Sequence, residues 1–170
     1  MKDDRTADAR SGETQSAEPV AFRAQVLVAA DATSDESLAS DLRALQHTVV
    51  AAAVGEDETL RLAAALAVDL IVLDATGPRS PRVEVGKILS RERRRPLLVV
   101  GPGDDPGLAG RAWRCGATSL LLRPYTLAQM AASVEMCYGL AQRITALEQA
   151  TEAAEEALAA RKLIERAKGV

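Results

Sequence analysis

The chain has 170 residues, 48% of them apolar, and a formal charge of -3. That is room for one ordinary domain with an appendage, and the near-balanced charge makes no general case for a polyanionic partner. Phe22, Trp113, Tyr125 and Tyr138 are its only aromatic residues, so Ala, Val and Leu must build the core and stacking of bases on aromatics is not expected.

Cys115 and Cys137 are too few for a disulfide framework and lack metal-ligand spacing, and the single His47 excludes a site needing two imidazoles. No apolar run approaches the roughly 18 residues of a membrane span, and the N-terminus lacks the apolar core of a signal peptide. A cytoplasmic protein with reduced thiols is expected.

Residues 1–21 mix charged and hydroxyl side chains with almost nothing large and apolar, and read as a disordered tail. A strand over 26–30 runs into Asp31. Ser34 or Asp35 can cap a helix with Leu38, Leu42 and Leu45 on one face, closed by His47. A second strand, 49–54, ends at Gly55, and Asp57 can cap a helix carrying Leu60, Ala63, Ala64 and Leu66.

The stretch 69–78, Asp-Leu-Ile-Val-Leu-Asp-Ala-Thr-Gly-Pro, is the centre of the pattern. Its short apolar run is that of a strand buried on both faces, and Asp74 stands at its carboxyl end, the edge where open α/β sheets place ligands and chemistry. A weaker helix over 83–93 follows, with Val85, Ile88 and Leu89 as its stripe. The strand 97–100 leads into Gly101-Pro102-Gly103, which lacks the spacing and the lysine of a phosphate loop. A short helix, 108–115, ends at Gly116. A fifth strand, 119–122, runs into Arg123-Pro124-Tyr125.

Thr126 is placed to cap a single helix running to the end of the chain, since no Pro and only Gly139 and Gly169 occur beyond it. Five strands alternating with helices imply a doubly wound, flavodoxin-like parallel sheet with helices on both faces, followed by a long helical stalk. A helix of 40 residues spans about 60 Å and cannot all lie on such a domain. Leu140, Ile144, Leu147, Thr151, Ala154 and Leu158 recur at spacings of four and three, which fits either a homodimeric coiled coil or a solvated single helix held by alanine propensity.

Asp31, Asp74 and Arg123 fall at three strand ends on one sheet edge. Two carboxylates suit Mg²⁺, and a cation beside them can hold a phosphoryl group transferred to one of them. An ion pair at the sheet edge is the plainer alternative.

Across residues 22–140 the chain resembles the CheY-like receiver domains of bacterial two-component response regulators. The resemblance lies in 26–31, in 69–78, in 96–102 and in Gly-Ala-Thr-Ser-Leu-Leu-Leu-Arg-Pro-Tyr at 116–125. It implies that Asp74 is the phosphoacceptor position, that Asp31, Asp74 and the backbone carbonyl of Thr76 are Mg²⁺ ligands, and that Arg123 contacts the phosphoryl group. Three departures stand against the family pattern: Ala30 where a second acid is usual, Gly101 where Ser or Thr is usual, and Arg123 for Lys, a planar fork for a mobile point charge. They imply an atypical receiver in which the usual hydroxyl and aromatic movements do not occur in their usual form.

After the alanine- and glutamate-rich helix, the segment 161–170 resembles the start of the ANTAR domain of AmiR and NasR type transcription antitermination regulators, through Ile164, Ala167, Lys168 and Gly169. The implied organisation is a tail at 1–21, a receiver or pseudo-receiver at 22–138, a coiled-coil linker at 139–160 and an incomplete RNA-binding module from 161. The implied partners are a second copy through the C-terminal helix, a sensor kinase or ligand-sensing regulatory protein, and RNA hairpins where that module is complete; no membrane is involved. Arg161, Lys162, Arg166 and Lys168 either begin a phosphate-contacting patch or are solvated cations at the helix's negative end.

Two other readings remain open: a pseudo-receiver that binds proteins and never nucleic acid, and a phosphatase-type enzyme using Asp31 and Asp74. The latter lacks an evident general acid, and no enzyme is expected. Arg91, Arg93, Arg94 and Arg95 read as a solvated loop after a helix. His47 reads as structural or exposed, and Trp113 as a core residue rather than an exposed anchor.

Overall fold

The computed structural model describes residues 22–31, 35–76, 83–93 and 95–169. The expected tail at 1–21, the Ser34 cap, the turn at Gly77 and Pro78, and Arg94 lie outside these residues.

Five strands form one sheet: β1 (Gln25–Ala30), β2 (Thr48–Val54), β3 (Leu70–Asp74), β4 (Leu97–Pro102) and β5 (Ser119–Arg123). All pairings are parallel, in the order β2-β1-β3-β4-β5. Every residue of β3 is buried, as its continuous apolar run requires of a strand covered on both faces.

Alternation along the strands divides the core in two. Val26, Val28, Leu70, Val72, Leu98 and Val100 face α1 (Asp35–Ala44) and α5 (Leu127–Lys168), which contribute Leu38, Leu42, Met130, Val134 and Cys137. Leu27, Ile71, Leu73, Leu97 and Val99 face α2 (Glu56–Ala65), α3 (Gly86–Arg93) and α4 (Leu108–Arg114). Each Leu or Ile fully withdrawn from water in these two layers contributes about 1.5–3 kcal/mol.

Several local expectations need correction. Helix α1 itself ends at Ala44, but His47 closes it as expected, its N–H donating to the Leu42 carbonyl at 3.0 Å, while its buried ring accepts the Ala24 N–H at Nδ1 over 3.2 Å. Phe22 stacks on Tyr138 of α5 at 3.8 Å between ring centroids and lies tilted against His47 at 6.0 Å. Helix α2 is preceded by Gly55 rather than capped by Asp57, because Gly55 adopts φ 85° and Glu58 turns back to accept the Val54 N–H. Arg95 is half-buried and donates to the Ala63 carbonyl at 2.8 Å, closing the end of α2 instead of lying in solvent. Trp113 is 82% exposed. Leu108 and Ala112 take the inward face of α4, and residue 113 lies about 100° further round the helix.

The cap on α5 is as expected. Thr126 accepts the Gln129 N–H, and the Gln129 side chain accepts the Thr126 N–H at 2.8 Å, a reciprocal capping box. Its 42 residues reach about 63 Å. Met130, Val134 and Cys137 are buried, and Ala141, Thr145 and Glu148 are half-buried beside Arg95, Pro96 and Thr118. Beyond Glu148 every described side chain of α5 is exposed.

Candidate functional site

The strand order reverses between β1 and β3, and the crevice outside their carboxyl ends is where doubly wound sheets bind ligands. Ala29 pairs with Leu73, so Asp74 closes β3 level with Ala30, and Asp31 lies one residue beyond. Both carboxylates are buried, Asp74 completely. A buried carboxylate needs partners, and Asp74 has them on both oxygens. The Thr76 N–H donates to Oδ1 at 2.9 Å and the Thr76 hydroxyl donates to the same oxygen. Arg123 Nη2 donates to Oδ2 at 3.0 Å, an ion pair whose cation is one-quarter exposed.

Arg123 reaches Asp74 because β5 ends two strands away on the same edge, with Pro102 of β4 in register with Arg123. The Arg123–Pro124 peptide bond is cis, and the Gly103 N–H donates to the Arg123 carbonyl. Gly103 must lack a side chain, because a Cβ there would stand 2.7 Å from that carbonyl oxygen. The guanidinium carbon lies 5.2 Å from the centroid of the Tyr125 ring, within cation–π range. Its Nε is buried with no hydrogen-bond partner among the described residues.

Tyr125 points toward α1. Its hydroxyl donates to Asp41 Oδ2 at 2.9 Å, and burial, aided by that bond, pushes its pKa up to about 12. Asp41, Tyr125, Thr76 and Arg123 share an open pocket of about 830 Å³ with Ser37, Pro102, Gly103 and Asp104. The Asp41 contact had no sequence signal, since it joins residues 84 positions apart.

The missing hydroxyl at position 101 has a structural cause. A Cβ on Gly101 would overlap Cδ2 of Leu108, and Leu108 is fully buried in that space. Here α4 plugs the place where a Ser or Thr side chain would project.

The structure brings Asp31, Asp74, Thr76 and Arg123 to one sheet edge. The donor set suits a hard cation in part: two carboxylates stand at the switch point, but both Asp74 oxygens are engaged, so a metal there would displace Arg123 or share an oxygen with Thr76. Among the described residues no group of three or more His, Cys, Asp or Glu could hold a metal ion. Arg161, Lys162, Arg166 and Lys168 lie far along the chain on the exposed last turns of α5, with Arg161 Nε on Glu165 at 3.1 Å.

No family model matches the sequence. The transcriptional regulatory protein PdtaR of Mycobacterium tuberculosis is 28% identical over 160 residues, spanning 94% of this chain and 78% of that protein. Among solved structures, the receiver domain of a modulated diguanylate cyclase from Desulfovibrio desulfuricans superposes with a TM-score of 0.62 at 22% identity, covering 71% of this chain and 98% of that one. A CheY-like receiver domain from Methanospirillum hungatei gives 0.62 at 15% identity, covering 72% and 98%. NtrX from Brucella abortus gives 0.65 at 16% identity, covering 75% of this chain and 30% of its own. No helix among the described residues is long and apolar enough to cross a membrane. The chain has the fold of a CheY-like response-regulator receiver domain, extended by one long C-terminal helix.

Proposed function

We propose that this chain takes a signal at Asp74 from a sensor kinase or a ligand-sensing regulatory protein. As a cytoplasmic homodimer joined through α5, it passes that signal to an RNA-binding output of the transcription antitermination type. The observation that carries the reading is the buried Asp74 at the carboxyl end of the central strand, held by Arg123 on one oxygen and Thr76 on the other. A carboxylate so placed can accept a phosphoryl group, and Arg123 can turn from Oδ2 to the new anionic oxygens. Asp31, Asp74 and the Thr76 carbonyl would hold Mg²⁺, which supplies neutralisation of the phosphoryl charge when bound.

The likeness to a transcriptional regulatory protein extends over the stalk as well as the receiver, which supports a regulatory output. Leu140, Ile144, Leu147 and Leu158 are exposed along α5, with the spacing of a seam for a second helix. Arg161, Lys162, Arg166 and Lys168 are exposed near its end and are the residues proposed to meet RNA phosphates. The function is switching, not turnover.

The test is incubation with acetyl phosphate and Mg²⁺ followed by intact mass measurement. The expected result is a gain of one phosphoryl group, lost in Asp74→Asn. Sedimentation at tens of micromolar checks the homodimer, and hairpin RNA binding that weakens steeply with salt checks the output. A second reading, a pseudo-receiver switched by partner binding alone, is favoured by Ala30 and by the full engagement of Asp74. No mass gain in a folded protein would select it.

A further inference from the structure

We propose that the state of the Asp74–Arg123 pair is read at helix α1, through Tyr125 and Asp41, rather than through β4 and α4. The inference rests on Asp74 being the signal-receiving position, and it concerns where the change goes next.

One guanidinium serves two neighbours. Arg123 donates to Asp74 with Nη2 while its carbon lies 5.2 Å from the Tyr125 ring centroid. Movement of the cation away from Asp74 changes its position relative to that ring, and its buried Nε, without a hydrogen-bond partner among the described residues, leaves a donor for a rearranged position. Tyr125 is in turn fastened to α1 by its 2.9 Å bond to Asp41, and its hydroxyl keeps its proton, hence its donor role, throughout the neutral range.

Asp41 lies between Leu38 and Leu42 in sequence, and both of these are fully buried on the sheet face shared with Met130 and Val134 of α5. A pull on Asp41 therefore bears on side chains packed in one cluster with the helix that becomes the stalk. Packed clusters transmit such displacements because they do not deform continuously.

The other route is closed by packing. Gly101 has no side chain to follow a change at Asp74, and Leu108 fills the volume where one would move.

The experiment is amide hydrogen exchange on the full chain, comparing wild type, Asp74→Asn, Tyr125→Phe and the double variant. Asp74→Asn removes the charge that holds Arg123, and exchange over 36–44 in α1 is expected to change roughly fivefold while that over 108–114 stays within roughly twofold. In the Tyr125→Phe background the α1 response is expected to vanish. Arg123→Gln breaks the same pair from the other side, should Asp74→Asn not fold. An unchanged α1 in both variants, an α1 response of equal size without the Tyr125 hydroxyl, or a larger response in α4 would overturn the proposal. These readouts need no phosphoryl donor. An α1 response in a protein that gains no mass from acetyl phosphate supports the relay and removes phosphorylation. A mass gain with a silent α1 removes only the relay.

Discussion

Leu108 occupies the space that a side chain on Gly101 would need. Leu108 is the first residue of α4 and Gly101 lies near the end of β4, so a short loop folds the helix start back onto its own strand. Gly101→Ser should therefore cost about 1–3 kcal/mol by overpacking. In the Leu108→Ala background the same substitution should cost less, because the space has been vacated. Urea denaturation of the four proteins gives the coupling directly. Strict additivity would show that the two sites do not share this volume.

The pairing of Asp74 with Arg123 predicts an asymmetry between two substitutions. Among the described residues, Arg123→Ala leaves the fully buried carboxylate with the Thr76 donors alone and should destabilise by about 2–3 kcal/mol, below the cost of breaking a wholly buried pair because Arg123 is one-quarter exposed. Arg123→Lys retains a charge that can approach Oδ2 and should cost less than half as much. Thermal unfolding near neutral pH checks both. Equal losses would mean that packing over Tyr125, not the charge, is what Arg123 contributes.

His47 makes stability depend on pH. Burial lowers its pKa, opposed by the charge of Glu135, and its Nδ1 accepts the Ala24 N–H, which a protonated ring could not do. The folded state thus binds a proton less readily than the unfolded chain. This contribution is present above the unfolded value of about 6.5 and is lost as pH falls through the lower folded value. The urea midpoint should drop between about pH 7 and about pH 5, with a shallower drop in His47→Gln, whose amide can still accept a hydrogen bond. The same slope in both proteins would assign the pH dependence to other groups.

Trp113 is the sole tryptophan, so fluorescence reads α4 alone. At 82% exposure its emission should resemble that of a solvated indole and be quenched freely by iodide. A shielded indole in the folded protein would mean that another molecule covers this face of α4.

Much of the sheet edge was legible in the sequence. The apolar runs at β1, β3 and β4, each followed by a polar residue or a glycine turn, determine strands buried on both faces, and βα alternation determines a parallel sheet. Once β1, β3 and β5 are parallel, Asp31, Asp74 and Arg123 must share an edge. The capping box at Thr126 and Gln129 is equally local, as is the Pro-free run that lets α5 continue for 42 residues.

Tertiary structure alone decided which of several equivalent local choices was taken. Periodicity permits Trp113 to face in or out, and packing chose Leu108 and Ala112 for the interior. The Arg95 bond to the end of α2 spans 32 positions, the Asp74–Arg123 pair 49, and the Tyr125–Asp41 bond 84. Spacing along a chain fixes how side chains alternate within one element. It carries no information on the angle and distance at which two elements meet, and those quantities decide that Gly101 is closed by Leu108 and that Tyr125 is fastened to α1.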